Sequence, residues 1–183
     1  MQTLVFLDFD DVLAVHPEHT SQQVVAALRS GCPDQFAELW ANVFHEALRQ
    51  NLRTLYDEFT PQFIISSTWA TYLSREEVGD VLARGGLAFA AAALHPDWRS
   101  ATDVGAFRAT EISAWLKRHG GLRGFAYVIL DDTASGHTLF GTVLEPYVVF
   151  CDEWQGFTER RFEQAQTILR AQLGADSVQD ADG

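Results

Sequence analysis

Four short apolar runs, each stopped by polar side chains, constrain this chain more than any other feature. Residues 3–7 (TLVFL) run into Asp8, and residues 63–65 (FII) into Ser66 and Ser67. Residues 126–130 (AYVIL) run into Asp131 and Asp132, and residues 147–150 (YVVF) into Cys151 and Asp152. Continuous apolar runs of this length suit strands buried on both faces. Between them the spacing turns helical. Phe36, Leu39, Trp40, Val43, Phe44, Ala47, Leu48, Leu55 and Phe59 predict one helical face longer than twenty residues. Ser74 and Glu77 form a capping-box pair ahead of Val78, Val81 and Leu82. A helix through Ile112, Trp115 and Leu116 should end at His119-Gly120-Gly121. The last helix, through Phe162, Ala165, Leu169 and Leu173, should be capped by Thr158.

Strands alternating with helices predict an α/β fold: a parallel sheet between two helical layers, Rossmann-like in its αβα sandwich. Such sheets bind ligands beyond the carboxyl ends of their strands, where the polar residues above fall. At 183 residues the chain fits one domain, expected over residues 1–173, with a small acidic tail from Gly174 that should fray. No apolar run is long enough to span a membrane, and no basic segment precedes the first one, so neither a span nor a signal peptide is expected. Cys32 and Cys151 match no zinc or redox spacing; as ordinary thiols they suggest a cytoplasmic protein. The net charge of -12 opposes broad nucleic-acid binding, because such a surface repels phosphate backbones. It leaves room for a phosphorylated substrate where a metal ion inverts the local field.

The segment FLDFDDVL places Asp8 and Asp10 two residues apart at the end of a buried strand. A carboxylate there can attack phosphorus and form an aspartyl-phosphate, splitting one displacement into two. A second carboxylate two residues on can protonate the leaving oxygen and then deprotonate water. An aspartate-rich turn would account for the pair without chemistry, but the apolar strand before it and Val12-Leu13 after it favour a site. Asp131 and Asp132 follow another apolar strand, and adjacent buried carboxylates need a partner. Few, hard oxygen ligands are what magnesium takes.

These segments together resemble the haloacid dehalogenase (HAD) superfamily, whose first motif is an apolar strand followed by Asp-x-Asp. The resemblance implies a HAD-like fold and a magnesium-dependent phosphatase, with Asp8 as nucleophile and Asp10 as acid and base. It implies Ser66, or alternatively Ser67, as the hydroxyl that binds the phosphoryl group. For the motif III cation, usually Lys, it offers Arg108 at a helix start or Lys117 within that helix, and Arg108 is favoured. It implies Mg2+ held by Asp8, Asp10, Asp132 and Asp131, with Asp132 the direct ligand. The wording SSTW, RATEISAWL and VILDD is similar to a capless branch that includes HAD domains of multi-domain RNA-repair proteins, and CDEWQGFTERRFEQA resembles that branch's closing segment.

Asp11 departs from the pattern, since most relatives have Gly or Thr after the second Asp; it could add a metal ligand, repel phosphate or face solvent. The segments after motifs I and II are short, so a minimal cap or none is expected, with an open site for a nucleotide, a nucleic-acid end or another small phosphoester. His16, His19 and His95 are candidates for its entrance, with Trp69 and Trp98 nearby. Two other readings stand beside this one: a HAD-fold binding protein with weak turnover, and a phospho-accepting signalling domain.

Overall fold

The computed structural model describes residues 1–100 and 107–179. In chain order the elements are β1 (Gln2–Leu7), α1 (Ser21–Leu28), α2 (Ala37–Asn42), α3 (Glu46–Phe59), β2 (Gln62–Ile65), α4 (Arg75–Arg84), α5 (Ala88–Ala92), β3 (Leu94–Arg99), α6 (Arg108–Arg118), β4 (Phe125–Asp132), β5 (Val148–Cys151) and α7 (Glu159–Gln179). The strands form one parallel sheet in the order β3-β2-β1-β4-β5. β1 lies at its centre, with Leu7 level with Ile65 of β2 and with Leu130 of β4. The chain therefore delivers Asp8, Ser66 and Asp131 side by side at one edge of the sheet.

Strand side chains alternate between two cores, as the two-residue strand period requires. Val5, Leu7, Phe63, Ile65, Val128 and Leu130 face Leu48, Leu52 and Leu55 of α3, Val78, Val81 and Leu82 of α4, and Ala165 and Leu169 of α7. Leu4, Phe6, Ile64, Tyr127 and Ile129 face Ile112, Trp115 and Leu116 of α6, together with Leu139 and Leu144. Both faces of β1 are thus dry, which is why its sequence shows an unbroken apolar run. The three-layer α/β architecture expected from the sequence is the one observed.

Several elements differ from the sequence reading. The single long helix expected from Phe36 to Phe59 is broken: α2 stops at Asn42 and α3 starts at Glu46. The reason is local, because the His45 N–H donates to the Leu13 carbonyl at 2.9 Å instead of continuing the helix. The break docks α3 onto the turn after β1. β3 carries no apolar run, since its sequence is LHPDWR and most of it is only partly buried at the sheet edge. Pro96 is tolerated there because an edge strand has one unpaired side. α7 continues through Gly174 to Gln179, into the segment expected to fray; residues 180–183 lie outside the described residues.

The caps expected for α4 and α6 are present. The Ser74 hydroxyl accepts the Glu77 N–H, and the Glu77 carboxylate accepts the Ser74 N–H in return. Gly120 and Gly121 both take positive φ after α6, and the Gly121 N–H bonds the Leu116 carbonyl at 2.7 Å. Between β1 and α3 only α1, α2 and a short 3-10 turn intervene, so any cover over the strand ends is small. Among the described residues no helix is long and apolar enough to cross a membrane.

Candidate active site

The site begins with a tight turn at the end of β1. The Phe9 carbonyl receives the N–H groups of Val12, Leu13 and Ala14 at 3.2, 3.0 and 2.8 Å. This turn holds Asp8 against the sheet and lifts Asp10 and Asp11 out of it. Asp8 is buried, its N–H bonded to Leu130 of β4 and its Oδ1 accepting the Phe9 N–H at 2.8 Å. Its other oxygen faces Arg108, 3.4 Å from a guanidinium nitrogen.

Arg108 is the first residue of α6 and is buried. The Thr138 hydroxyl, from the turn after β4, accepts the neighbouring Ala109 N–H and fixes the helix start. Its guanidinium lies 2.7 Å from Asp131 and 3.8 Å from Glu111 as well as facing Asp8. One cation thus meets three buried carboxylates. Burial alone would lower the Arg108 pKa, but Asp8, Asp131 and Glu111 outweigh it and raise the value, keeping the charge. Lys117, the alternative for this role, is exposed in the last turn of the same helix. Nine residues of helix separate it from Arg108, roughly 13 Å of rise.

At the end of β4, Asp131 accepts the Asp132 N–H, and Asp132 Oδ1 accepts the N–H groups of Ala134 and Ser135 at 2.6 and 2.9 Å. Asp8, Asp131 and Asp132 each offer one carboxylate oxygen, all within 4.8 Å of one another. Burial pushes the Asp8 carboxyl up to about 6, against the opposing pull of Arg108, the Ser67 hydroxyl and the Phe9 N–H. Burial and the neighbouring Asp8 push Asp131 well above the usual range, with Arg108 pulling against them. Three carboxylates crowded in a buried space, with one arginine among them, form a donor set of hard oxygens that fits a divalent cation such as magnesium.

Ser66 and Ser67 follow β2 and are both buried. The Ser66 hydroxyl has no hydrogen-bond partner among the described residues, and an orphaned buried hydroxyl is unusual in a folded protein. Ser67 does different work: its hydroxyl favours the charged form of Asp8 and accepts the Trp69 N–H at 3.4 Å. Asp10 stands apart from the carboxylate trio. Its Oδ2 accepts the Trp69 indole N–H at 2.9 Å, and it is only partly buried. Burial raises its pKa and the Trp69 hydrogen bond lowers it.

Asp11 serves neither as a fourth member of the trio nor as a free surface charge. It sits at φ 53°, and its carboxylate accepts the Trp154 N–H at 2.8 Å, tying the loop after β5 to the turn after β1. His95 is not at the entrance: it is the second residue of β3, at the opposite end of the strands from Asp8, and packs edge-on against Trp115 with ring centroids 4.9 Å apart. His16 and His19 stack on each other at 4.6 Å in the segment between β1 and α1. Trp98 packs partly buried against the core on the α3 side, whereas Trp69 is fully buried beneath Asp10.

The sequence reading missed Glu111, Trp69 as a partner of Asp10, and Ser100. Glu111 had a signal in its i,i+3 spacing from Arg108 on one helix face. Ser100 follows β3 beside Ser66; its N–H bonds Ile65, and its hydroxyl is buried with no partner among the described residues. It had no signal, because β3 itself was not legible.

The family model described as the HAD domain in Swiss Army Knife RNA repair proteins matches residues 4–162. Comparisons with curated proteins and with solved structures give no match. The match runs from β1 into the first turn of α7 and so takes in every residue of the site described above. The chain therefore belongs to this family of HAD domains.

Proposed function

We propose that this chain is a magnesium-dependent phosphatase that acts on phosphomonoesters through an aspartyl-phosphate on Asp8. The observation that carries this reading is the buried trio of Asp8, Asp131 and Asp132, with Arg108 against the first two and the Ser66 hydroxyl, unpartnered among the described residues, alongside. HAD domains are typically hydrolases of this type, and the family match supports the class. In this reading a carboxylate oxygen of Asp8 attacks phosphorus. Asp10 protonates the departing ester oxygen, and the alcohol leaves. Asp10 then takes a proton from water as the water oxygen attacks phosphorus and the Asp8–phosphate bond opens. Ser66 and Arg108 hold the phosphoryl oxygens, Arg108 in the forked manner that guanidinium allows. Asp8, Asp131 and Asp132 would hold the magnesium ion, which when bound supplies positive charge that offsets repulsion between phosphate and carboxylates.

The small amount of chain between β1 and α3 favours substrates whose phosphate protrudes. The family's name points to RNA repair, so phosphorylated nucleotides and RNA ends are the first substrates to test, with sugar phosphates and phosphorylated DNA ends beside them. The net charge of -12 favours short ligands over long nucleic acids. Two unpaired cysteines agree with a reducing, cytoplasmic setting. The bond from Trp154 to Asp11 removes one ground for a binding protein without turnover.

Hydrolysis of 4-nitrophenyl phosphate should require magnesium and be lost in Asp8→Asn, with no phosphate incorporated into the variant. Activity that survives the substitution, or that is indifferent to chelation, would overturn the mechanism.

A further inference from the structure

Asp10 sits on a turn, partly open to solvent, where a carboxylate has several rotamers within reach. Among the described residues one side-chain bond holds it, from the Trp69 indole N–H to Oδ2 at 2.9 Å. The donor side is rigid. Trp69 is fully buried, edge-on to Phe9 at 5.2 Å and stacked with Phe44 at 6.3 Å between ring centroids. Its main chain lies in a 3-10 turn (Thr68–Thr71), and its own N–H is capped by the Ser67 hydroxyl. Three of the four residues after β2 therefore address the site: Ser66 offers a hydroxyl with no partner among the described residues, Ser67 favours the charged form of Asp8, and Trp69 bonds Asp10.

We propose that Trp69 is the positioning residue for Asp10, fixing its rotamer and reserving Oδ2 so that Oδ1 carries the proton to and from the substrate. An indole N–H only donates. Oδ2 is therefore the acceptor whether or not Asp10 is protonated, and the transferable proton belongs on Oδ1. In the first half-reaction the Oδ1–H proton passes to the ester oxygen as the phosphorus–oxygen bond breaks. In the second, Oδ1 takes a proton from water as the water oxygen bonds to phosphorus and the Asp8–phosphate bond breaks. This inference rests on the reading of Asp10 as acid and base.

The test exploits the leaving group, because nitrophenolate departs without much help and an alkoxide does not. Trp69→Phe keeps an aromatic ring and removes the donor; replacing the indole by benzothiophene removes only the N–H and guards against a packing defect. kcat/KM, which reports steps through formation of the aspartyl-phosphate, is measured for 4-nitrophenyl phosphate and for a simple alkyl phosphate, with Asp10→Asn as the reference. Both Trp69 changes should reduce kcat/KM for the alkyl ester by about tenfold or more beyond the loss for the aryl ester. Equal losses for the two esters, or none, while Asp10→Asn discriminates between them would overturn the role of Trp69 alone. If Asp10→Asn does not discriminate either, the acid role of Asp10 fails, and this inference fails with it.

Discussion

Arg108 and Asp11 show how differently two charged residues close to Asp8 are used. Arg108 is buried among Asp8, Asp131 and Glu111, where a lone guanidinium would be costly and three lone carboxylates more so. Asp11 spends its charge on a main-chain bond, accepting the Trp154 N–H while holding a left-handed backbone that Asp tolerates better than most residues. Asp11→Asn keeps both an acceptor and that tolerance. It should change stability by less than about 0.5 kcal/mol and leave the magnesium requirement of hydrolysis unchanged. Asp11→Ala loses the bond and strains the turn, and should cost about 1–3 kcal/mol in urea denaturation. A marked rise in the magnesium concentration needed by Asp11→Asn would instead make this carboxylate a metal ligand.

At the scale of elements, the loop from β5 to α7 closes against the turn after β1. Phe157 N–H bonds the Val12 carbonyl at 2.8 Å, and between it and Trp154 lies Gly156 at φ 71°. A Cβ at Gly156 would stand 2.6 Å from the Val12 carbonyl oxygen and 2.5 Å from Leu48. Since the nearest backbone atom belongs to the site's own turn, Gly156→Ala should lower stability by about 2 kcal/mol or more and depress turnover; thermal denaturation beside the aryl phosphate assay checks both. Contacts of this kind explain what the sequence left unread. β1 and β4 were legible because both faces are buried and the runs end abruptly in acids. Arg108 was legible because it starts a helix. β3 was not, since an edge strand with Pro96 and partial exposure keeps no apolar pattern, and Ser100 went unread with it. Trp69 with Asp10 and Trp154 with Asp11 join residues far apart in sequence, and nothing in local periodicity marks such pairs. The break before α3 was hidden for the same reason, being made by a bond to Leu13 rather than by a helix-breaking residue.

On the scale of the whole molecule, the sheet concentrates acid at one edge of a protein that already carries a net charge of -12. Folding buries Asp8 and Asp131 at the end of the sheet, where their charged forms are disfavoured. Asp8 titrates near 3.8 when unfolded and is pushed up to about 6 by burial when folded. Between those values the folded chain holds a proton that the unfolded chain has released. The stability associated with this group is therefore complete below pH 3.8 and is lost as pH rises through about 6. Glu58 and Glu77, held low by bonds from Arg170 and Arg29, work the other way, but only as pH falls through the ordinary carboxylate range. His95, whose pKa is lowered by burial, adds stability as pH rises through its own range, so the Asp8 contribution is best isolated by difference. In chelator, the urea midpoint of the native protein should fall relative to that of Asp8→Asn as pH is raised from 5 to 7.5. Saturating magnesium should remove most of that difference and stabilise the native protein by about 3 kcal/mol at a hundredfold excess over its dissociation constant. Parallel pH profiles for the two proteins in chelator, or equal stabilisation of both by magnesium, would mean that Asp8 is neither disfavoured in its charged form nor a ligand of the ion that offsets this.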